Sequence, residues 1–464
     1  MATKPVRGAV VEVVDGVSAA VLATATTDGS GAYSVSVPSN KSILVRVKAQ
    51  MLQGGSGANW DVSVRDNTQA DALYAMETPT FISGSEAFTR DIHAPSGWNG
   101  SSYGPLRVAA PFAVLDTIYT AQAKVLSVAP ASVFPPLRVF WSANNRPASG
   151  NPAVGQIGTT FFTNTTTGRA IYVLGQENVD TDEYDPSVIA HEWGHYYQSA
   201  FSRDDSPGGA HSLNDLLDRR VAFSEGWGNA WSGIALGRSN YTDAVGQAQA
   251  QGSNFNLTAG VTSNPGWYRE VSIQSILWNL NSQVGFKPIH DTLTGPFKSS
   301  VAVTSIHPFT AAFAAAAPGG LPVLTGLLAA QNISAAASDP FGTSETNDGG
   351  VAVALPMYRP ATVGGSTSAC VTNQAGSGNK LGSYAYLRFS VATAASHTIT
   401  VTAPSAAADP DFMVYSGRLI AEAEGLGASE AVSVGLPAGE SVLIISDFTK
   451  YPSPTTTCFT VSIQ

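Results

Sequence analysis

The sequence predicts a multidomain chain in which a central α+β domain lies between two all-β sandwiches. Alternating β-branched stretches fill the first 80 residues, helical periodicity dominates the middle, and alternating strands return near the end. A length of 464 residues is sufficient for several domains that each bury a core. We therefore predict domains at residues 1–80, 81–360 and 361–464.

The first domain is predicted from short strands joined by turns. Strands are expected at residues 8–15, 32–37, 43–49 and 60–67, and "TDGSG" at 27–31 has turn composition. This order of elements resembles the carboxypeptidase regulatory-like (prealbumin-like) domains attached to secreted bacterial proteins. The resemblance implies a small β-sandwich.

The middle domain is predicted to be mostly helical after a small sheet. β-like stretches occur in "GQIGTTFF" and "AIYVLG", and helical patterns in "PLRVAAPFAVLDTIYTAQAKVL", "VAFSEGWGNAWSGIAL" and "VSIQSILWNLNSQ". The apolar run 309–330 has the length of a membrane span, but Pro318 and Pro322 interrupt it. We expect two buried helical pieces there and no membrane span.

The last domain is predicted as a second β-sandwich because six alternating stretches are separated by regular turns. The pattern "ADPDFMVYSG" followed by "LPAGESVLIISD" resembles the bacterial pre-peptidase C-terminal domain, which accompanies exported peptidases. The two cysteines, Cys370 and Cys458, lie near its first and last strands. A disulfide would close a loop of 88 residues and contribute at most about 4 kcal/mol. Two buried thiols are the alternative.

Composition and charge limit the classes of partner and the location that can be expected for this protein. Charged residues make up 12% of the chain, the net charge is −10, and there is no basic run. Phosphate binding needs clustered cations, so nucleic acid is not expected as a partner. The low charge content is typical of secreted or cell-envelope proteins, although "MATKPVRGAVVEV" is not a signal peptide. We expect a monomer.

The motif "HEWGH" at 191–195 predicts a metal site. Fewer than about 0.01 such matches are expected by chance in this composition. Asp185 and Pro186 predict a helix start before it, so His191 and His195 share one helical face and can bind one metal. Glu192 beside them can take a proton from a water molecule. The alternative is a pair of surface histidines.

A catalytic zinc ion requires a third protein ligand from another element. The candidate is Glu225, 30 residues after His195 (225 − 195), on the helical pattern "AFSEGWGNAW". Phe223 and Trp227 around it argue against a solvated carboxylate. Asn229 is four residues further on the same face and could accept the ring N–H of a ligand histidine.

This arrangement resembles the gluzincin metallopeptidases, the superfamily of thermolysin and the zinc aminopeptidases. The resemblance implies His191, His195 and Glu225 as zinc ligands and Glu192 as general base and later general acid. The segment between motif and Glu225 is longer than usual, and the NExxSD and GxMEN motifs of two subfamilies are missing. We therefore assign the superfamily and no named subfamily.

Peptide hydrolysis also needs a donor for the developing oxyanion. Family members use a Tyr or His on a later helix, and "GWYREVSIQSILW" offers Tyr268. His211 in "SPGGAHS" is the second candidate, whereas His290 and His307 are expected to be structural. Packing at a helix start is the alternative for Tyr268.

Two further features concern substrate and calcium. Residues 170–175, "AIYVLG", are the candidate edge strand for pairing with an extended substrate. The acidic loop "DTDEYD" offers hard oxygen ligands for calcium, with simple solvation as the alternative. Its candidate ligands are Asp180, Asp182, Glu183 and Asp185.

The function predicted from these residues is zinc-dependent hydrolysis of peptide bonds in proteins or peptides. One alternative is a binding or adhesion protein with a vestigial peptidase fold. Another is a zinc hydrolase that acts on a non-peptide amide or ester.

Overall fold

The computed structural model describes residues 3–104 and 106–464. The chain is multidomain, rich in β-sheet, with helices concentrated in its middle. It divides into two compact units: Met1–Ala200 with Trp231–Asn256, and Phe201–Ala230 with Leu257–Gln464.

One mixed sheet organises the first unit. Its strands run in the order β2-β1-β3-β4-β8-β10-β9, with β5 paired to β4 and with β6 and β7 paired to β3. The strands are β1 (Ala9–Asp15), β2 (Val21–Thr26), β3 (Ser42–Gln53), β4 (Trp60–Asp66), β5 (Ala72–Leu73), β6 (Ala75–Glu77), β7 (Phe81–Ile82), β8 (Leu137–Trp141), β9 (Phe161–Thr165) and β10 (Gly168–Val173). β4, β8 and β10 are parallel neighbours. Helix α1 (Ala110–Leu126) lies in the crossover that parallel pairing of β4 and β8 requires.

The sheet differs from the sequence prediction in two places. The stretch 32–37 alternates in exposure as a strand would, yet it pairs with no strand among the described residues. The pairing of Val62 in β4 with Leu137 in β8 joins the predicted N-terminal domain to strands of the predicted middle domain. The N-terminal strands therefore share a sheet with the middle strands and do not form a separate sandwich.

The helices form where the sequence predicts them, except for α5, which was not predicted. They are α2 (Pro186–Phe201), α3 (Arg219–Leu236), α4 (Glu270–Val284), α5 (Phe286–Thr294), α6 (Ile306–Ala316) and α7 (Leu321–Ala330). A hairpin of β11 (Asn240–Val245) and β12 (Gln251–Asn256) follows α3. α2 begins directly after Asp185, as expected, but that carboxylate accepts a hydrogen bond from the Ala244 N–H of β11 at 3.2 Å.

In the described part of the chain, no single helix is long and apolar enough to cross a membrane. The helical pair Ile306–Ala316 and Pro318–Ala330 meets length and composition criteria only when taken together, and it is bent by 119°. α6 is mostly buried, whereas α7 buries Leu324 and Leu328 and exposes most of its other residues. The expected break is present, and the expected burial applies to α6.

A two-sheet sandwich ends the chain. One sheet has the order β13-β15-β20-β17-β18, and the other β14-β21-β16-β19. The strands are β13 (Arg359–Pro360), β14 (Ser366–Thr372), β15 (Tyr384–Val391), β16 (Ala395–Thr402), β17 (Pro410–Tyr415), β18 (Leu419–Ala423), β19 (Ser429–Leu436), β20 (Gly439–Asp447) and β21 (Thr456–Ile463). Alternate residues of both sheets form one apolar core, including Leu387, Phe412 and Phe459.

The two cysteines form a disulfide. Cys370 and Cys458 face each other on the antiparallel pair β14 and β21. Of the two alternatives left open by the sequence, the structure therefore has the crosslink. It joins the first long strand of the sandwich to its last strand.

Candidate metal centre

α2 presents the two motif histidines on one face. The Nε2 atoms of His191 and His195 are 3.1 Å apart. Two imidazoles bound to one tetrahedral zinc ion at about 2.0–2.1 Å would hold these atoms about 3.3 Å apart. The two ring nitrogens therefore lie at a separation close to the one that two ligands of a single zinc ion would have.

The opposite face of α2 is fixed by aromatic packing within the first unit. Trp193 and Tyr197 are fully buried and stack on the Trp231 ring, each at 5.4 Å between ring centroids. The Tyr196 hydroxyl donates to the Pro135 carbonyl at 2.6 Å. These contacts fix the rotation of α2 about its axis, and with it the direction of the histidines.

Glu225 on α3 belongs to the same group of potential ligands. His191, His195 and Glu225 each offer one ligand atom, and these atoms lie within 4.8 Å of one another. Glu225 is 8% exposed, as is His191. Two imidazoles and one carboxylate are a donor set typical of hydrolytic zinc, which keeps a fourth position open. The donor types and their spacing fit a zinc ion.

Glu192 contacts the edge of the sheet. Its Oε2 accepts a hydrogen bond from the Phe162 backbone N–H of β9 at 2.8 Å. β9 is the terminal strand, whereas β10 lies between β8 and β9. The prediction that residues 170–175 form the open edge is therefore wrong, because both sides of β10 are already paired. The strand with a free edge beside the motif is β9.

The ligand histidines were expected to need a supporting acceptor. His195 Nδ1 lies 3.3 Å from Oε1 of Gln198, one turn along α2 and fully buried. Gln198 is not among the predicted site residues, although its position three residues after a ligand histidine is a detectable signal. Asn229 is buried on α3, at 5% exposure, and its supporting role stays a prediction.

In the second unit His211 contacts Glu225. Its Nε2 lies 3.3 Å from Oε2 of Glu225 and 3.4 Å from Oε2 of Glu270, and its Nδ1 lies 3.1 Å from the Gly209 carbonyl oxygen. Burial alone would lower the pKa of His211, but the Glu225 and Glu270 carboxylates raise it to about 9. Both ring nitrogens face acceptors, which favours the doubly protonated ring.

Glu270 is a site residue that the sequence did not indicate. It lies in the first turn of α4 and is 2% exposed. Acidic residues are common in the first turn of helices because they complement the helix dipole. Its position in the sequence therefore gave no sign that its carboxylate contacts a histidine.

Tyr268 is placed differently from His211. Its side chain is fully buried, and its hydroxyl lies 2.8 Å from Oδ1 of Asn264 and 3.0 Å from Oδ1 of Asn347. This is packing ahead of α4, the alternative considered for this residue. His290 and His307 are buried as well, and His307 pairs with Glu345 at 3.1 Å.

Tyr241 is a third residue that sequence reasoning missed. It lies on β11, and its ring meets His191 edge-to-face with centroids 6.2 Å apart. Burial, and after it the Glu192 carboxylate, raises the pKa of Tyr241 well above its usual value. The phenol therefore stays protonated and can donate a hydrogen bond next to the motif.

The acidic loop contributes to a separate carboxylate cluster. Oxygens of Asp180, Asp182 and Asp243 lie within 4.8 Å of one another. Burial and the Asp243 charge raise the pKa of Asp180 to about 6, and burial raises the pKa of Asp182 well above its usual value. Asp243 comes from β11, so the sequence pattern of the loop could not reveal it.

The other two predicted calcium ligands are engaged elsewhere. Glu183 pairs with Arg107, and both side chains are fully buried. Asp185 accepts the backbone hydrogen bond from β11, and burial raises its pKa to about 7. The predicted ligand set therefore changes to Asp180, Asp182 and Asp243.

Comparison with known proteins gives matches to β domains only. No protein-family model and no curated protein matches the chain. The pre-peptidase C-terminal domain of a collagenase from Bacillus anthracis is 10% identical, with a TM-score of 0.19, over 23% of this chain and 94% of that chain. CorA, a surface-associated copper-binding protein of Methylomicrobium album, is 8% identical, with a TM-score of 0.19, over 23% of this chain and 98% of that chain.

A third match is PliG of Aeromonas hydrophila, a periplasmic inhibitor of g-type lysozyme. It is 18% identical, with a TM-score of 0.15, over 23% of this chain and 98% of that chain. Each of the three similarities covers about a quarter of the chain. At such low TM-scores they say nothing about the function of this protein.

Proposed function

We propose that this protein is a zinc-dependent hydrolase of the gluzincin type that cleaves peptide bonds in proteins or peptides. The observation that supports it is the convergence of His191, His195 and Glu225, with Glu192 beside the two histidines. A purely structural zinc site needs no general base, so Glu192 favours catalysis over a vestigial binding role.

Zinc held by these three residues supplies Lewis acidity toward the scissile carbonyl and acidifies water. Glu192 then takes the proton of the attacking water and delivers it to the leaving amine. The hydrogen bond from the Phe162 N–H occupies Oε2 of Glu192 and fixes the carboxyl plane.

The free edge of β9 is the proposed substrate strand. An extended peptide added to this edge would use backbone hydrogen bonds, which give affinity without strong dependence on sequence. Because Phe162 on this strand also contacts Glu192, the added peptide would run past the general base. Polypeptide is therefore the substrate class that we favour.

His211 is the proposed donor to the oxyanion, and Tyr241 is the second candidate. Both ring nitrogens of His211 face acceptors, and its ring touches the proposed ligand Glu225. Tyr241 lies against His191. Tyr268, the first candidate from the sequence, has its hydroxyl engaged by Asn264 and Asn347.

Export from the cytosol completes the proposal. The disulfide between Cys370 and Cys458 favours an oxidising compartment outside the cytosol. Low charge content and the resemblance of the C-terminal sandwich to pre-peptidase C-terminal domains point the same way.

The test is Glu192→Gln, which keeps the size of the side chain and removes the base. We expect zinc content to stay near one per chain while casein hydrolysis falls by about 10²–10⁴-fold. Glu422→Gln, on an exposed position of β18, is the matched control and should keep full activity. A zinc-loaded wild type that hydrolyses no peptide would favour the binding alternative, and product masses would identify a non-peptide amide or ester substrate.

A further inference from the structure

The loop between β14 and β15 of the C-terminal sandwich contacts the segment that carries His211. We propose that Asn379 and Lys380 in this loop are positioning residues of the candidate metal centre, acting through His211. The proposal rests on the proposed function, in which His211 contacts both Glu225 and the substrate oxyanion.

Residues 208–217, here called the His211 loop, contain no helix and no strand. Gly208 and Gly209 have φ values of +65° and +96°, in the region that favours glycine. Ordering such residues costs more conformational entropy than ordering others. The His211 loop therefore needs contacts from outside itself to keep one conformation.

Asn379 and Lys380 supply side-chain contacts at the start of the loop. Nδ2 of Asn379 donates to the Gly208 carbonyl at 2.9 Å, and Nζ of Lys380 donates to the Ala210 carbonyl at 2.7 Å. These carbonyls lie on either side of Gly209, whose own carbonyl binds Nδ1 of His211. The two donors therefore fix the peptide groups that orient the ring.

Backbone pairing holds the end of the loop. The Leu381 N–H donates to the Leu216 carbonyl, and the Asp218 N–H donates to the Asn379 carbonyl, each at 2.9 Å. Lys380 also pairs with Asp215 at 3.3 Å, and its side chain is 14% exposed. The same three residues of the sandwich thus hold both ends of the His211 loop.

The sandwich also fixes the start of α3, the helix of Glu225. The Tyr386 hydroxyl of β15 donates to Oδ2 of Asp218 at 2.6 Å, and Arg220 pairs with Oδ1 at 2.9 Å. The buried Arg220 guanidinium lies 4.4 Å from the Tyr384 ring centroid. Residues of the sandwich therefore contact both the His211 loop and the start of the helix that carries its carboxylate partner.

The test compares Lys380→Met with Lys298→Met, because Lys298 also donates to a backbone carbonyl, that of Phe201, in the same unit. In Lys380→Met we expect kcat to fall about 10-fold with KM nearly unchanged, and zinc affinity to fall about 10-fold in competition with a chelator. Lys380→Arg should restore part of kcat and part of the zinc affinity, and Lys298→Met should change neither quantity. Asn379→Ala should act in the same direction as Lys380→Met.

Two further measurements separate positioning from a general structural role. In a His211→Ala background, Lys380→Met should cause no further loss of kcat, because its effect passes through the imidazole. Hydrogen exchange should become faster in residues 208–217 and stay unchanged in the strands of the sandwich. An equal loss with and without His211, or unchanged exchange together with unchanged zinc affinity, would overturn the proposal.

The exchange and affinity measurements do not depend on hydrolysis. A wild type without peptidase activity would refute the proposed function, while faster exchange and weaker zinc binding in Lys380→Met would still support positioning. Failure of the proposed function and failure of the positioning proposal therefore give different results.

Discussion

α2 and the His211 loop hold functional side chains in contrasting ways. In α2 the spacing of His191 and His195 is set by the helix itself, and buried aromatic rings fix its orientation. In the His211 loop the backbone includes two glycines with positive φ, and polar contacts from Asn379 and Lys380 supply the order. The order of α2 comes from residues that are close in sequence. The order of the His211 loop depends on residues about 170 positions away.

The contrast explains which kind of change each region should tolerate. Truncating one aromatic ring under α2 removes packing that nothing else replaces. Removing one hydrogen bond from the His211 loop leaves the others in place, so its effect should appear in catalysis and local exchange before it appears in global stability. The following predictions test that difference.

The largest effect is expected from Trp231→Ala. This ring is fully buried and stacks on both Trp193 and Tyr197. The change should cost about 3–5 kcal/mol of unfolding free energy, measured by urea titration, and should weaken zinc binding. Trp278→Ala on α4, whose indole is partly exposed, is the matched control and should cost far less. Equal losses in the two variants would contradict the packing role.

Removal of the disulfide tests the sandwich that holds the His211 loop. Cys370→Ser with Cys458→Ser opens a loop of 88 residues and should lower the stability of the second unit by up to about 4 kcal/mol. Thermal unfolding under oxidising conditions measures the loss. If the His211 loop depends on the sandwich, its hydrogen exchange should accelerate at temperatures where the motif helix α2 stays protected.

The pH dependence of the first unit should depend on Asp185. Burial raises the pKa of this carboxyl to about 7 from an ordinary value of 3.8. The folded state then binds the proton more tightly than the unfolded state, so this group's contribution to stability is full at low pH and falls as pH rises from about 4 to 7. Asp185→Asn should abolish that part of the slope, making the variant more stable relative to wild type by about 1–3 kcal/mol at pH 8. Urea midpoints at pH 4.5 and 8 measure it, and parallel slopes would refute it.

The smallest effect is expected from Phe162→Pro. The Phe162 N–H points to Glu192, so proline at this edge position should break no ladder hydrogen bond while removing the donor. We expect kcat to fall about 10-fold with zinc content unchanged. Phe162→Ala keeps the N–H and controls for loss of the ring. A larger loss in the alanine variant would show that the ring, and not the hydrogen bond, is important.

Local patterns predicted much of the fold and part of the site. The helix of the HEWGH motif, six of the nine strands of the C-terminal sandwich and the break after α6 follow from short-range periodicity and proline positions. Short-range periodicity does not predict the unpaired stretch 32–37 or the interior position of β10, because strand pairing depends on which neighbours compete for each edge.

The same limit applies to the site. His191 and His195 are four residues apart, so helical geometry alone brings them together. Asp243 joins Asp180 and Asp182 from a hairpin, and Glu270 meets His211 from another helix. The sequence placed Tyr268 ahead of His211 as oxyanion donor, whereas the contacts of Tyr268 with Asn347 and of His211 with Glu225 favour His211. Such contacts join distant positions that no local pattern relates.

The proposed function depends above all on the binding of one zinc ion by His191, His195 and Glu225. Crystals of the zinc-loaded protein, measured on both sides of the zinc absorption edge, test it directly. We expect one strong anomalous peak at about 2.0–2.2 Å from Nε2 of each histidine and from a Glu225 carboxylate oxygen. A peak bound elsewhere, or zinc at the histidines with the Glu225 carboxylate turned away, would contradict it.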